Sequence, residues 1–142
     1  MSLTKGLNIY FNIITHKSNY EFENLQMKVI RRGLEQNLDV SIYAKPEYTW
    51  EQMNEIRIGL IGNLDVTLYA KPEFNPGQMQ QIRWGLQNKI DVSLYSTPEF
   101  DNVQMAEIRR GLQNKIDVTL YLNPSIEWEE MQNIRLELES KK

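Results

Sequence analysis

The stretch NLDVSIYAKPEYTWEQMNEIRIGLIG, residues 37–62, is followed without a gap by NLDVTLYAKPEFNPGQMQQIRWGLQN (63–88), KIDVSLYSTPEFDNVQMAEIRRGLQN (89–114) and KIDVTLYLNPSIEWEEMQNIRLELES (115–140). The period is 26 residues, marked by Asp39, Asp65, Asp91 and Asp117, and by Tyr43, Tyr69, Tyr95 and Tyr121. Met27, Met53, Met79, Met105 and Met131 carry the register one copy further towards the N-terminus. A tandem period of this size means that one supersecondary unit is built repeatedly, each copy burying its apolar side against the next.

Two halves are legible in each copy. Leu38 to Tyr43 alternates apolar and polar residues and is rich in β-branched and aromatic types, which predicts a strand. Pro46 cannot donate to a central ladder, so Ala44 to Tyr48 is a turn. From Trp50 to Ile61 the apolar positions Met53, Ile56 and Leu60 follow helical spacing, and a helix is expected to stop near Gly62, Asn88 and Asn114. Strand, turn and helix repeated give parallel strands with right-handed crossovers.

The expectation is therefore an α/β fold, a right-handed βα solenoid of about five 26-residue repeats. Strands spaced about 4.8 Å and helices spaced about 8–10 Å bend such a stack, with the parallel sheet concave and the helices convex. The whole of residues 1–142 reads as one repeat domain. A degenerate N-terminal capping repeat spans 7–36, regular repeats span 37–62, 63–88 and 89–114, and a C-terminal capping repeat spans 115–142. The chain resembles a leucine-rich-repeat-like βα solenoid. Its YAKPEF-type units (Tyr43 to Tyr48, Tyr69 to Phe74) also resemble short tandem repeats of uncharacterised bacterial and phage proteins. The second resemblance implies an inhibitor of a host protein, encoded by a phage or mobile element.

On a strand, Val40, Ile42 and Ala44 face the helices, leaving Asp39, Ser41 and Tyr43 on the open face. The candidate partner-binding surface is then three ladders, Tyr43/Tyr69/Tyr95/Tyr121, Asp39/Asp65/Asp91/Asp117 and Ser41/Thr67/Ser93/Thr119, together with Trp84 on the outer helix face. Tyrosine offers contact area at low rotamer entropy, which suits recognition; stacked tyrosines also serve to cover a sheet. The aspartates accept turn N–H groups, pair with Lys89 or Lys115, or meet a partner. The methionines fill the core. Arg31, Arg57, Arg83, Arg109 and Arg135 could recognise phosphate, but their place beside the buried stripe, facing a helix, favours structural hydrogen bonds to neighbouring turns. Gly33, Gly59, Gly85 and Gly111 give way to Glu137 in the last copy, which places the glycine flank against the following unit and makes the C-terminus a polar cap. His16 is expected in the end cap, where the first strand shifts register.

Composition narrows the chemistry. The 142 residues carry a net charge of −3, no cysteine and one histidine. This excludes disulfides, thiol catalysis and multi-histidine metal sites, and gives no basic surplus for nucleic acid or anionic membrane. No apolar run reaches the ~18 residues of a membrane span, and no signal-peptide pattern opens the chain, so a cytoplasmic place is expected. There is no phosphate-binding glycine loop, nucleophile elbow or histidine-based pair. The reading is a non-enzymatic protein- or peptide-binding module without cofactor or metal; the alternative is a structural homo-oligomer.

Overall fold

A computed structural model describes residues 11–12 and 22–142. Among residues 22–142 five α-helices span Asn24–Glu35 (α1), Trp50–Ile61 (α2), Pro76–Gln87 (α3), Asn102–Gln113 (α4) and Trp128–Ser140 (α5). Between them lie four single 3₁₀ turns, Val40–Ile42, Val66–Leu68, Val92–Leu94 and Val118–Leu120. No strand occurs among the described residues. The expected βα solenoid, its curved parallel sheet and the leucine-rich-repeat-like architecture are therefore corrected to an all-helical repeat. The end-cap role of His16 and the register of a first strand lie outside the described residues. The chain divides into two compact units, Met1–Pro72 with α1 and α2, and Glu73–Lys142 with α3, α4 and α5.

Hydrogen bonding explains why the alternating stretch is not a strand. The Asp39 carboxylate accepts from the Ser41 amide at 3.2 Å and from the Ser41 hydroxyl at 2.5 Å. Asp65–Thr67, Asp91–Ser93 and Asp117–Thr119 repeat the arrangement. An aspartate bonded two residues ahead closes a turn and competes with any ladder. The chain then winds into 3₁₀ geometry, the Tyr43 amide donating to the Val40 carbonyl at 3.0 Å. Residues i and i+3 eclipse in a 3₁₀ turn. Val40 and Tyr43 thus share one side, and that side is the core.

The tyrosines point inward, correcting the open-face reading. Tyr43, Tyr69, Tyr95 and Tyr121 are all 0% exposed. Each hydroxyl reaches back across the preceding helix to a backbone carbonyl, that of Val29, Glu55, Gln81 or Glu107, at 2.7–2.9 Å. The ring passes over the glycine four residues after that carbonyl. A Cβ built on Gly33 would overlap the Tyr43 hydroxyl and stand 2.7 Å from Val40 Cγ1; Gly59, Gly85 and Gly111 are placed alike. The glycine therefore costs helix propensity of about 1 kcal/mol but admits a buried ring, whose burial contributes more.

The helices are joined by a second repeated bond. Gln26, Gln52, Gln78 and Gln104 close a capping box, each Oε1 accepting from the N-cap amide of its own helix. The other end of each side chain donates Nε2 to a carbonyl of the next turn: Tyr48 at 2.6 Å, Pro72 at 3.1 Å, Phe100 at 2.7 Å and Ile126 at 2.7 Å. Glu130 holds this position in α5, and a carboxylate has no such proton to give. Met53, Met79, Met105 and Met131 are fully buried. Each of α1 to α4 ends in a Schellman-type turn, with Leu38 N–H donating to the Gly33 carbonyl at 2.9 Å in α1. The left-handed residue is Asn37, Asn63, Lys89 or Lys115, with φ of 59–60°, one place beyond the expected stops.

Candidate interaction surface

Of the expected binding residues, the 3₁₀ turns expose Asp39, Asp65, Asp91 and Asp117 with Ser41, Thr67, Ser93 and Thr119. Each aspartate is already engaged by its own Ser or Thr, so these groups form fixed polar pairs. The Thr119 hydroxyl and then its amide hold the Asp117 carboxyl below its ordinary pKa. Trp84 is half-buried, with the Arg109 guanidinium 5.4 Å from its ring centroid, so long neighbours cover much of it. The tyrosines contribute no surface.

The same geometry exposes residues that the alternating pattern had placed inside. The last residue of a 3₁₀ turn projects opposite the Val and Tyr pair. Leu68, Leu94 and Leu120 are 36%, 37% and 60% exposed, and Ile42 is half-buried. The signal that finds them is the Asp-x-Ser/Thr spacing, which announces a turn and changes the period from two to three. Each turn therefore presents one aliphatic side chain beside a fixed Asp–Ser/Thr pair.

The helix seams form a second region. Within the first unit, a groove of about 240 Å³ between α1 and α2 is lined by Leu25, Lys28, Val29, Arg32, Trp50 and Asn54. Arg57, on the α2 side of this seam, is buried and among the described residues bonds to two amides, Asn54 Oδ1 at 2.8 Å and Gln36 Oε1 at 2.9 Å. Burial, and then the like charge of Arg32, lower its pKa. Within the second unit, Arg135 of α5 donates to Glu107 of α4 at 2.7 Å and to Glu139 at 2.9 Å. Burial opposes the Arg135 charge, but these two carboxylates outweigh it and raise the pKa. Arg109 of α4 donates to Gln81 of α3 at 2.9 Å.

Among the described residues no group of three or more His, Cys, Asp or Glu is placed to hold a metal ion. Nor is any helix there long and apolar enough to cross a membrane. No protein-family model, curated protein or solved structure matches the chain. With no family match, the resemblance to YAKPEF-type tandem repeats also falls.

Proposed function

We propose that the protein is a non-enzymatic module that binds a protein or peptide ligand through the outward faces of its 3₁₀ turns. The observation that carries this reading is the leucine turned to solvent at the end of the turns, at Leu68, Leu94 and Leu120. Folding gains little from an aliphatic side chain left in water, whereas an interface gains about 25 cal/mol for each Å² that it covers. The supporting feature is rigidity. Each turn is held by an aspartate bond on the outside and a tyrosine bond on the inside, so presenting the leucine costs little ordering entropy on binding. A cytoplasmic site of action belongs to the same proposal, supported by the absence of cysteine.

The test is affinity capture from the source cells with wild type and with Leu94→Ser plus Leu120→Ser. These side chains are exposed, so helical circular dichroism is expected to be unchanged while captured partners are lost. An unchanged partner set on a folded variant overturns the 3₁₀ surface. Substituting the tyrosines instead would measure core stability.

A further inference from the structure

We propose that the groove between α1 and α2 is a separate docking site for an acidic segment of a partner protein that carries one large apolar side chain. None of its lining residues belongs to a 3₁₀ turn. Its volume of about 240 Å³ falls below the ~300–1,000 Å³ of small-molecule pockets and suits a single side chain. Its apolar part is Leu25, 48% exposed, with Val29 and Trp50. An exposed leucine beside an exposed tryptophan is the apolar anchor that interfaces bury.

Charge names the occupant. Lys28 and Arg32 stand one helical turn apart on α1 and line the groove. Among the described residues neither has an ion-pair partner. Arg57 behind Asn54 adds a third positive charge, also without a carboxylate. The corresponding seam three repeats on is neutralised from within by Glu107, which pairs with both Arg135 and Arg110. The groove thus holds an uncompensated cluster of cations in a chain of net charge −3. A carboxylate-bearing ligand supplies what Glu107 supplies there. The chain's own residues 1–21 do not: they contain Lys5, Lys17 and His16 against one acid, Glu21. A nucleic acid fits poorly, because the overall negative charge repels a long polyanion.

This inference rests on the reading of the chain as a protein-binding module but uses different residues, so either can fail alone. The probes are short synthetic peptides with one leucine or phenylalanine flanked by glutamates, by glutamines or by lysines, read by fluorescence anisotropy. The glutamate peptides are expected to bind about tenfold more tightly than the glutamine peptides. Lys28→Glu with Arg32→Glu is expected to lose the glutamate peptides and gain the lysine peptides. Val29→Glu, which sets a carboxylate towards Arg57 as Glu107 meets Arg135, is expected to weaken the glutamate peptides about tenfold. Circular dichroism verifies that each variant is folded. Equal binding of glutamate and glutamine peptides, no binding of either, or full binding by the double charge reversal overturns the proposal. So does preferential binding of a single-stranded oligonucleotide or of phosphatidylglycerol vesicles at Lys28 and Arg32. Self-association in sedimentation that Arg32→Glu abolishes also overturns it, in favour of a second copy as occupant.

Discussion

The seam between α1 and α2 and the seam between α4 and α5 are three periods apart in sequence, and each is built within its own unit. Both bury an arginine from the later helix, Arg57 or Arg135. The earlier helices differ at four positions, among them Lys28 against Ala106, and the one that decides the arginine's partner is Val29 in α1 and Glu107 in α4. Glu107 is 1% exposed and lies 2.7 Å from Arg135 and 2.8 Å from Arg110. Arg57 makes do with Asn54 and Gln36. One backbone arrangement thus tolerates two solutions for a buried cation, an internal carboxylate or neutral amides. The first supplies a countercharge within the seam, and the second holds the cation with neutral groups.

The largest expected effect comes from making the second seam resemble the first. Glu107→Val leaves Arg135 buried with Glu139 alone, while the exposed Arg110 loses its partner to solvent. Removing one partner of a buried pair typically costs about 3–5 kcal/mol, and the surviving Glu139 contact places this change near about 3 kcal/mol. Urea denaturation of the whole chain measures it. A loss below about 1 kcal/mol would mean that Gln132 or Asn114, at the positions of Asn54 and Gln36, takes over as an amide partner, and that the two seams are interchangeable.

A smaller effect tests what the seams share, the tyrosine locks. Burial pushes the Tyr43, Tyr95 and Tyr121 hydroxyls well above the ordinary value of 10.0. Arg57 partly offsets this at Tyr43; Arg135 does so at Tyr121, where Glu107 and Glu139 oppose it. Above pH ~10 the unfolded chain has released these protons and the folded chain keeps them. Stability that is fully present at neutral pH is therefore lost as pH rises, by up to about 1.4 kcal/mol per pH unit for each locked tyrosine. Alkaline titration is expected to show tyrosinate absorbance appearing together with loss of helicity. Tyr43→Phe and Tyr121→Phe are each expected to reduce the slope by one proton. A gradual appearance of tyrosinate in a chain that stays helical would show that the locks open locally.

The helices were legible because burial and spacing agreed. Met53 and Ile56 repeat at helical intervals and are fully buried, and α2 occupies the expected Trp50 to Ile61. The Leu38 to Tyr43 stretch misled because six residues satisfy a period of two and a period of three almost equally. Val40 faces inward in both readings, so the outcome turns on Ile42 against Tyr43. What settles it is local: Asp39 bonds to Ser41, and a strand whose first polar side chain binds its own backbone offers no ladder. The partner of Gly33 was also present in the sequence, ten residues on. The glycine flank does meet the following unit, but through the Tyr43 ring rather than through a helix. The groove could not be read at all. It depends on Lys28 and Arg32 finding no carboxylate, a relation between helices that no single repeat contains.

The smallest effect lies at the helix ends, where the two seams differ again. After α1 the left-handed residue is Asn37, and after α4 it is Lys115, at nearly the same φ of 60° and 59°. Asparagine tolerates this region, whereas lysine pays for its Cβ by about 1 kcal/mol. Lysine also gains from the negative end of the helix, by about 0.3–1 kcal/mol at low salt. The two terms nearly cancel at low ionic strength, so Lys115→Gly is expected to change stability little there. Salt screens the dipole contribution and leaves the steric one untouched. At high salt the same substitution is expected to stabilise the chain by about 0.5–1 kcal/mol relative to wild type, measured by thermal unfolding across a salt series. A gain independent of salt would show that the backbone conformation alone sets the difference between the Asn37 and Lys115 ends.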